Sequence, residues 1–302
     1  MRAPELRRTW LFGPGADRAA HEAMLASGAD VLIFDLEDFT PPPRRPEARA
    51  LLAGLVARCR AAGIGAAVRI NALDGKGGHG ADGAADLEAA MAAGADVIAY
   101  PMAETAAEIR ALDEAIGACE RRLAGRQTDA VPPRRTEILP VCETALGVAD
   151  VRLLAAASPR IRGALLGAED LANDLQAERG ADAVELDHAR RRFVLECRAA
   201  RIEPVDAPYT FSDAEGAVRE TAYARRLGYR SKSLVLPAHA GAINAALTPA
   251  AAEVARAEAL VQAFEAARSR GDERVLFEDL WVEVPTWRNA RRLLERARQL
   301  AR

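Results

Sequence analysis

The sequence has no apolar run long enough to cross a membrane. Its longest runs, such as Val31-Leu32-Ile33-Phe34, fall far short of the roughly 20 residues that span a bilayer. The first 15 residues carry charges and lack the apolar stretch that forms the core of a secretion signal. We therefore expect neither a membrane protein nor a secreted one.

Cysteine is scarce, and its spacing argues against disulfides and against zinc. Four cysteines lie far apart and form no C-x-x-C pair: Cys59, Cys119, Cys142 and Cys197. Reduced thiols in a cytoplasmic protein are the simplest interpretation. Blocks of lysine or arginine are also missing and the net charge is −3, so the sequence does not predict a nucleic-acid-binding arm.

What the chain does have is an alternation of short apolar segments with longer helical ones. It is 302 residues long, and half of these residues are apolar. Strands are predicted at 9–12, 30–34, 65–70, 96–100, 137–141, 163–166, 203–205 and 233–236. Helices are predicted at 17–27, 46–62, 84–93, 104–123, 146–157, 187–200, 213–227 and 250–270. This order predicts an α/β fold, a (β/α)8 TIM barrel with a C-terminal helical extension.

The barrel does not use the whole chain. We assign residues 1–248 to the catalytic barrel and residues 249–302 to its last helix and a C-terminal lid or arm. Two interpretations of the tail stay open. Either it packs on the outside of the barrel, or it reaches the active site of a neighbouring subunit.

Polar side chains follow the predicted strands at their carboxyl ends, where the active site of a parallel βα barrel lies. They are Asp35, Glu37, Asp38, Arg69, Asn71, Glu104, Glu143, Glu169, Asp170, Asp206 and His239. We expect no comparable polar set at the amino ends. This asymmetry is the strongest sign of function within the sequence.

Glu143 and Asp170 are the best candidates for a metal site. They follow adjacent strands, so their carboxylates can converge on one cation. Two carboxylates completed by water and substrate oxygens suit Mg²⁺, and no Cys/His cluster supports zinc. The alternative is that both residues are helix N-caps or members of salt bridges at the rim.

Arg69 is the candidate for binding a carboxylate or an α-keto acid, which a guanidinium can hold through two parallel hydrogen bonds. The alternative is a structural pairing with Asp35 or Asp38. Crowding among Glu37 and Asp38 raises their pKa values, which would suit proton transfer. Equally, these two residues can serve only to orient Arg69 and metal-bound water, and we favour that supporting role.

The histidines and Cys142 are weaker candidates. His21 and His188 fall inside predicted helices, and His239 has no evident partner, so we expect structural roles for them. His79 lies in the glycine-rich segment 75–83, which lacks the lysine–serine pair of a nucleotide-binding loop. Cys142 precedes Glu143 on a strand and should therefore face the opposite way, out of the barrel.

Five ordered motifs carry a family resemblance. They are R-T-W-L-F-G-P-G at 8–15, S-G-A-D-V-L-I-F-D-L-E-D at 27–38, V-R-I-N at 68–71, E-T-A-L-G-V at 143–148 and G-A-E-D-L at 167–171. Together they resemble the citrate lyase beta subunit family of the HpcH/HpaI aldolase superfamily. The likeness extends over nearly the whole chain.

The resemblance implies a carbon–carbon lyase that cleaves or forms 3-hydroxyacyl-CoA thioesters such as malyl-, citramalyl- or citryl-CoA. It implies Mg²⁺ on Glu143 and Asp170, and a 2-oxo acid and an acyl-CoA as substrates. Arg69 would bind the oxo acid, with Glu143 also facing the substrate. Glu283, in W-V-E-V-P at 281–285, matches a base supplied by a neighbouring subunit, and the family suggests a homotrimer or homohexamer.

The departures from the family pattern leave two alternatives open. Ser231 and Leu236 replace a glycine and a histidine near the thioester pocket, which allows a CoA-independent class II aldolase acting on pyruvate or oxaloacetate. The segment Phe39-Thr40-Pro41 is bulkier than usual and suggests a different acyl group. The other alternative is a citryl lyase subunit that needs an acyl-carrier partner, against which the C-terminal tail argues.

Overall fold

The computed structural model describes residues 1–73, 80–125 and 136–301. Eight parallel strands close into a barrel in sequence order, with β1 paired to β8. They are β1 (Thr9–Pro14), β2 (Val31–Asp35), β3 (Gly65–Arg69), β4 (Val97–Tyr100), β5 (Glu137–Cys142), β6 (Gly163–Leu166), β7 (Glu203–Tyr209) and β8 (Ser231–Leu234). The predicted (β/α)8 TIM barrel is confirmed.

Helices follow the strands around the barrel. They are α1 (Arg18–Ala26), α2 (Arg45–Ala61), α3 (Gly80–Ala93), α4 (Ala106–Ala124), α5 (Ala145–Ala149), α6 (Val151–Ala157), α7 (Glu169–Asp174), α8 (Asp187–Ala200), α9 (Ala214–Leu227) and α10 (Ala240–Leu247). Capping residues fix where several of them begin. Thr105 and Glu108 form a capping box at the start of α4, and Asp213 accepts the Gly216 N–H at the start of α9.

Alternate residues of the strands fill the barrel interior. This core includes Trp10, Phe12, Val31, Ile33, Ala67, Val97, Ala99, Leu139, Val141, Leu165 and Val205. Because side chains on a strand alternate between its two faces, the same alternation directs Arg69, two residues after Ala67, toward the carboxyl end of the barrel interior. The sequence pattern that fills the core therefore also positions the site.

The strands and helices differ from the predictions in several places, and the predicted helix 146–157 is two helices, α5 and α6. β7 continues to Tyr209 although Pro204 and Pro208 argue against a strand there, and β8 begins two residues earlier than predicted. The short helix α7 and the helix α10 were not predicted. The separate roles assigned to 1–248 and 249–302 stay a prediction.

The amino ends of the strands also carry charged side chains, but these side chains are paired with one another. Arg7 donates to both carboxylate oxygens of Glu137, at 2.6 and 2.8 Å. Arg8 binds Asp30 in the same region at 2.9 Å. These contacts balance the charges of Arg7 and Arg8 with the carboxylates of Glu137 and Asp30.

The chain divides into two compact units, 1–244 and 245–302. The second contains α11 (Ala251–Ser269), an antiparallel hairpin of β9 (Val275–Phe277) and β10 (Leu280–Val282), and α12 (Val284–Leu300). Its own core is built by Ala257, Leu260, Phe264, Val282 and Ala290. Among the described residues, no helix has both the length and the apolar character needed to cross a membrane.

Candidate active site

Arg69 and Asp35 form the centre of the site. They are register partners at the ends of β3 and β2, and both are buried. Arg69 Nε donates to Asp35 Oδ1 at 2.9 Å, and Arg69 Nη2 donates to Asp35 Oδ2 at 2.5 Å. The structural pairing considered for Arg69 therefore exists, and it fixes the plane of the guanidinium through two parallel hydrogen bonds.

Glu37 and Asp38 approach Arg69 from the loop after β2. Glu37 Oε2 lies 2.8 Å from Arg69 Nη1, and Asp38 Oδ2 lies 3.3 Å from Arg69 Nη2. The Glu37 contact lacks the angles of a hydrogen bond, and Glu37 Oε2 has no hydrogen-bond donor. Asp35 Oδ1 also accepts the Glu37 N–H at 2.9 Å, so one aspartate positions both the loop and the guanidinium.

Crowding in a buried site shifts the ionisation of these groups. Burial raises the pKa of Glu37 to about 8, the nearby carboxylates of Glu143 and Asp38 add to the rise, and Arg69 opposes it. Burial alone would lower the pKa of Arg69, but Asp35 and the other carboxylates raise it well above the ordinary value. Arg69 is therefore a permanent cation, whereas Glu37 carries a proton at neutral pH.

Glu143 directly follows β5 and is buried. Its Oε1 accepts the Met102 N–H at 2.9 Å, and Met102 has a left-handed backbone with φ of 45°. Gly167 lies against the other side of Glu143, because a Cβ at Gly167 would stand 2.4 Å from Glu143 Cβ. Thr144, and not Glu143, caps α5, so the N-cap alternative for Glu143 is wrong.

Asp170 lies in the first turn of α7, and its carboxyl is close enough to that of Glu143 for each to shift the pKa of the other. Ala168 is the N-cap of this helix, so the N-cap alternative is wrong for Asp170 as well. Burial raises the pKa of Glu143 to about 7, with Asp170 contributing to the rise. Burial raises the pKa of Asp170 too, and the negative charge of Asp38 is the next cause.

This pair fits a hard divalent cation. Two oxygen donors that repel each other gain from a cation between them, and Mg²⁺ accepts few protein carboxylates while keeping several waters. Within the described ranges, no group of three or more His, Cys, Asp or Glu residues is placed to hold a metal. Asp170 is exposed and Glu143 is buried, so the pair faces the mouth on one side and the barrel interior on the other.

Two aromatic rings lie against Arg69, and we call them the aromatic wall: Phe12 of β1 and Phe39 of the loop after β2. The Arg69 guanidinium carbon is 5.3 Å from the Phe12 ring centre and 6.0 Å from that of Phe39. Residue-by-residue analysis of the sequence missed this wall because nothing in the spacing of Phe12 and Phe39 brings them together.

The remaining candidates do not join this cluster. Asp206 lies within β7 and binds Lys232 and Arg190 at 2.7 Å each, among buried groups that include Glu220 of α9. Glu169 accepts hydrogen bonds from Thr210 and Arg179. The buried His239 bonds to the Ser212 carbonyl. The segment with His79 lies outside the described residues at 74–79, and Glu283 belongs to the second unit, just before α12.

Known proteins resemble this chain over nearly all of its length. The citrate lyase subunit beta of Haemophilus influenzae is 31% identical over 295 residues, which are 97% of this chain and 98% of that protein. The L-malyl-CoA/beta-methylmalyl-CoA lyase of Rhodobacter capsulatus is 30% identical over 313 residues, covering 97% and 95%. Because a citrate lyase subunit shares the C-terminal region, the argument from the tail against a partner-dependent subunit is wrong.

Solved structures agree with these sequence matches. CitE of Mycobacterium tuberculosis in complex with magnesium, acetoacetate and coenzyme A is 29% identical, with a TM-score of 0.75 over 98% of this chain and 99% of that one. The complex of CitE with magnesium and pyruvate is 25% identical, with a TM-score of 0.66 over 99% of this chain and all of that one. The HpcH/HpaI aldolase/citrate lyase model matches residues 8–237. The chain therefore belongs to the HpcH/HpaI aldolase/citrate lyase family and is an oxo-acid lyase of the citrate lyase beta type.

Proposed function

We propose that this protein is a Mg²⁺-dependent lyase that cleaves a 3-hydroxyacyl-CoA thioester into an acyl-CoA and a 2-oxo acid, and that it also catalyses the reverse condensation. The observation that carries the proposal is that the carboxyls of Glu143 and Asp170, which follow the adjacent strands β5 and β6, lie close to each other and to the Arg69 guanidinium. This arrangement supplies two metal ligands and one fixed cation at the same end of the barrel.

Arg69 would bind and orient the carboxylate of the oxo acid. Asp35 already engages Nε and Nη2, so the substrate meets the Nη1 edge and the second Nη2 hydrogen, where Glu37 and Asp38 now lie. Glu37 is a weak competitor there, because burial raises its pKa to about 8 and it is mostly uncharged at neutral pH. A substrate carboxylate can therefore replace Glu37 at Nη1 without separating Arg69 from Asp35.

Glu143 and Asp170 would hold the Mg²⁺, which when bound acts as a Lewis acid on the oxo or hydroxyl oxygen of the substrate. In cleavage, a base removes the hydroxyl proton, the bond between the hydroxyl-bearing carbon and the thioester α-carbon breaks, and its electron pair forms an enolate on the acyl fragment. That enolate then takes up a proton at the α-carbon, which gives the acyl-CoA. Arg69 holds the departing oxo acid throughout.

The proton-transfer group of this scheme is Glu283. The family resemblance assigns a base to its position, and its carboxylate is one methylene longer than the aspartate it replaces. Glu37 and Asp38 serve to hold the guanidinium, as their contacts with Arg69 indicate. Asp38 is largely exposed and can leave Arg69 at little cost when a substrate arrives.

Support for a CoA thioester comes from similar proteins. The malyl-CoA lyase of Rhodobacter capsulatus carries the thioester in its name, and the CitE complex with coenzyme A covers 98% of this chain. The substitution at Ser231 is compatible with this substrate, because the Ser231 side chain is buried inside the barrel. Its hydroxyl accepts the Trp10 indole N–H inside the barrel at 2.9 Å.

The test is turnover of synthetic malyl-, citramalyl- and citryl-CoA by the purified full-length chain with Mg²⁺. We expect release of an oxo acid that stops on addition of EDTA and returns with excess Mg²⁺. Glu143→Gln and Asp170→Asn should abolish turnover while circular dichroism stays unchanged. Activity that persists in EDTA would show that the metal assignment is wrong.

A second candidate is a subunit whose substrate is carried by a protein partner. The relatives from Haemophilus influenzae and Escherichia coli are named as subunits of citrate lyase, and each covers at least 97% of this chain. Steady turnover of free CoA thioesters by the isolated chain would exclude a strict need for a partner. Turnover only of a thioester attached to an acyl-carrier protein would favour this candidate instead.

A further inference from the structure

The aromatic wall is an apolar surface next to the cation that would bind the oxo acid. The Phe12 and Phe39 ring centres are 6.4 Å apart in an edge-to-face arrangement. Phe12 is buried, but 41% of Phe39 is exposed. The exposed part of Phe39 therefore lies at the mouth of the site, and the ring has the apolar Phe12 and the Arg69 guanidinium as neighbours.

Asp35 fixes the position of Phe39 relative to Arg69. Its Oδ2 accepts the Phe39 N–H at 3.3 Å, and the same oxygen accepts Arg69 Nη2. Thr40, the next residue, donates its hydroxyl to the Asp35 carbonyl at 2.5 Å. Asp35 thus binds both the loop that carries Phe39 and the Arg69 guanidinium. These shared contacts keep Phe39 next to Arg69.

The charges near Arg69 also restrict what can bind there. Arg69 is the single cation, within the described part of the chain, among the groups that most shift the pKa values of Glu37, Glu143 and Asp170. Two of its donors are already taken by Asp35. One substrate carboxylate finds a partner on Arg69, whereas a second would face the carboxylates around it or an apolar ring.

We propose that Phe39 determines which 2-oxo acid the enzyme uses, favouring one with an apolar substituent, such as pyruvate or 2-oxobutyrate, over one with a second carboxylate, such as oxaloacetate. The inference rests on the proposed lyase function and names the substrate class of that site. The sequence suggested that the bulk of Phe39 alters the acyl group. Its contact with Arg69 instead places its effect on the oxo acid.

The physical reason is that the substituent covers the exposed part of the Phe39 ring when the carboxylate is bound to Arg69. A methyl or ethyl group gains from leaving water there, and a carboxylate loses hydration without gaining a cation. Pocket contacts of this size change kcat/KM by about tenfold. The binding of the acyl-CoA should not depend on Phe39.

The experiment measures the condensation of acetyl-CoA with pyruvate, 2-oxobutyrate, glyoxylate or oxaloacetate at saturating Mg²⁺. The proteins are the wild type, Phe39→Ala, Phe39→Leu and the control Leu153→Ala, which truncates an exposed apolar side chain on α6. We expect the wild type to prefer pyruvate and 2-oxobutyrate over oxaloacetate by about tenfold or more in kcat/KM. Phe39→Ala should remove most of that preference through KM, and Phe39→Leu and Leu153→Ala should keep it.

Two results would overturn the inference: a wild type that uses oxaloacetate at least as well as pyruvate, or a preference that Phe39→Ala leaves unchanged. A wild type without turnover on any thioester or oxo acid would instead contradict the proposed function. In that case calorimetric binding of pyruvate and oxaloacetate to the Mg²⁺-loaded protein decides. Tighter binding of pyruvate that Phe39→Ala abolishes would support the inference, and equal binding would contradict it.

Discussion

At the scale of single residues, the chain contains two buried arginines that are bound to strand aspartates in the same way. Arg69 and Arg190 are both buried, and each makes two parallel hydrogen bonds to an aspartate of a strand, Asp35 and Asp206. Only Arg69 lies with the candidate catalytic groups, because the partners of Arg190 are Asp206, with its bound Lys232, and Glu220 of α9. A comparison of the same substitution at Arg69 and at Arg190 therefore separates its effect on stability from its effect on catalysis.

We predict that Arg69→Lys and Arg190→Lys both destabilise the fold, by about 2–3 kcal/mol, because each leaves a buried carboxylate with fewer donors. Arg69→Lys should in addition lower kcat/KM for the oxo acid by on the order of 100-fold. Urea unfolding and steady-state kinetics on the folded fraction measure the two effects. Equal kinetic losses in both variants would contradict a substrate-binding role for Arg69.

Glu37 makes the stability of the protein depend on pH. Its pKa is about 8 in the fold against 4.5 ordinarily, so between these values the folded state keeps a proton that the unfolded state has released. The free energy of unfolding then falls as the pH rises, by up to about 1.4 kcal/mol per pH unit for one proton. The stabilising contribution of the protonated group is complete below pH 4.5 and is lost as the pH rises through about 8.

Glu37→Gln removes this titration, since glutamine resembles the protonated acid. Unfolding in urea with EDTA present, from pH 5 to pH 9, should show the variant gaining stability relative to the wild type as the pH rises. Glu143 also titrates in this range, with a pKa of about 7, and remains in both proteins, so the difference isolates Glu37. A difference that does not change with pH would contradict the raised pKa.

At the scale of elements, the end of β6 sets the position of the metal pair. A Cβ at Gly167 would lie 2.4 Å from Glu143 Cβ and 2.9 Å from Glu143 Oε2. Glu143 can therefore keep its position only if residue 167 has no Cβ. We predict that Gly167→Ala displaces Glu143, weakens Mg²⁺ binding at least about tenfold, and destabilises the fold by about 1–3 kcal/mol.

Gly54→Ala is the matched control. Gly54 lies inside α2 with nothing within 4 Å of a Cβ, so alanine there should stabilise the helix by about 0.5–1 kcal/mol and leave Mg²⁺ binding unchanged. Titration calorimetry and thermal unfolding on both variants provide the comparison. Wild-type Mg²⁺ affinity in Gly167→Ala would show that the close approach does not position Glu143.

The elements also show how far the sequence predicts the fold. Each predicted strand is present because β-branched and apolar runs flanked by glycine and aspartate are strong local signals. β7 is longer than the predicted 203–205, because Asp206 and Tyr209, on either side of Pro208, both pair with β8. α10, with the small-residue sequence A-G-A-I-N-A-A-L, gives little periodicity, so only tertiary packing reveals it.

At the scale of the whole molecule, parallel topology explains why part of the site was predictable. Glu143 and Asp170 follow neighbouring strands of a closed barrel, so their convergence follows from strand order alone. The hydrogen bond that the Phe39 N–H donates to Asp35 and the left-handed backbone of Met102 depend on packing and backbone detail, which no spacing rule contains. Spacing rules do not reveal contacts between subunits either, so the homotrimer or homohexamer stays a prediction.

Glu283 belongs to the second unit and is the proposed proton-transfer group. We predict that Glu283→Gln lowers kcat by a factor of about 100 to 10,000 while Mg²⁺ binding is unchanged. Glu278→Gln is the control in the same unit, where Glu278 forms a half-exposed ion pair with Arg256 at 2.7 Å. Mixing inactive Glu283→Gln with inactive Glu143→Gln tests whether the group acts across subunits, because active sites that combine two intact halves would regain turnover.

The most direct test of the account is calorimetric titration of Mg²⁺ into metal-free protein at pH 8, which is above the Glu143 pKa of about 7. We predict one ion bound per chain in the wild type, and loss of that binding in both Glu143→Gln and Asp170→Asn, with circular dichroism unchanged. Binding of Mg²⁺ by both variants as tightly as by the wild type would contradict the claim that these two carboxylates hold the metal.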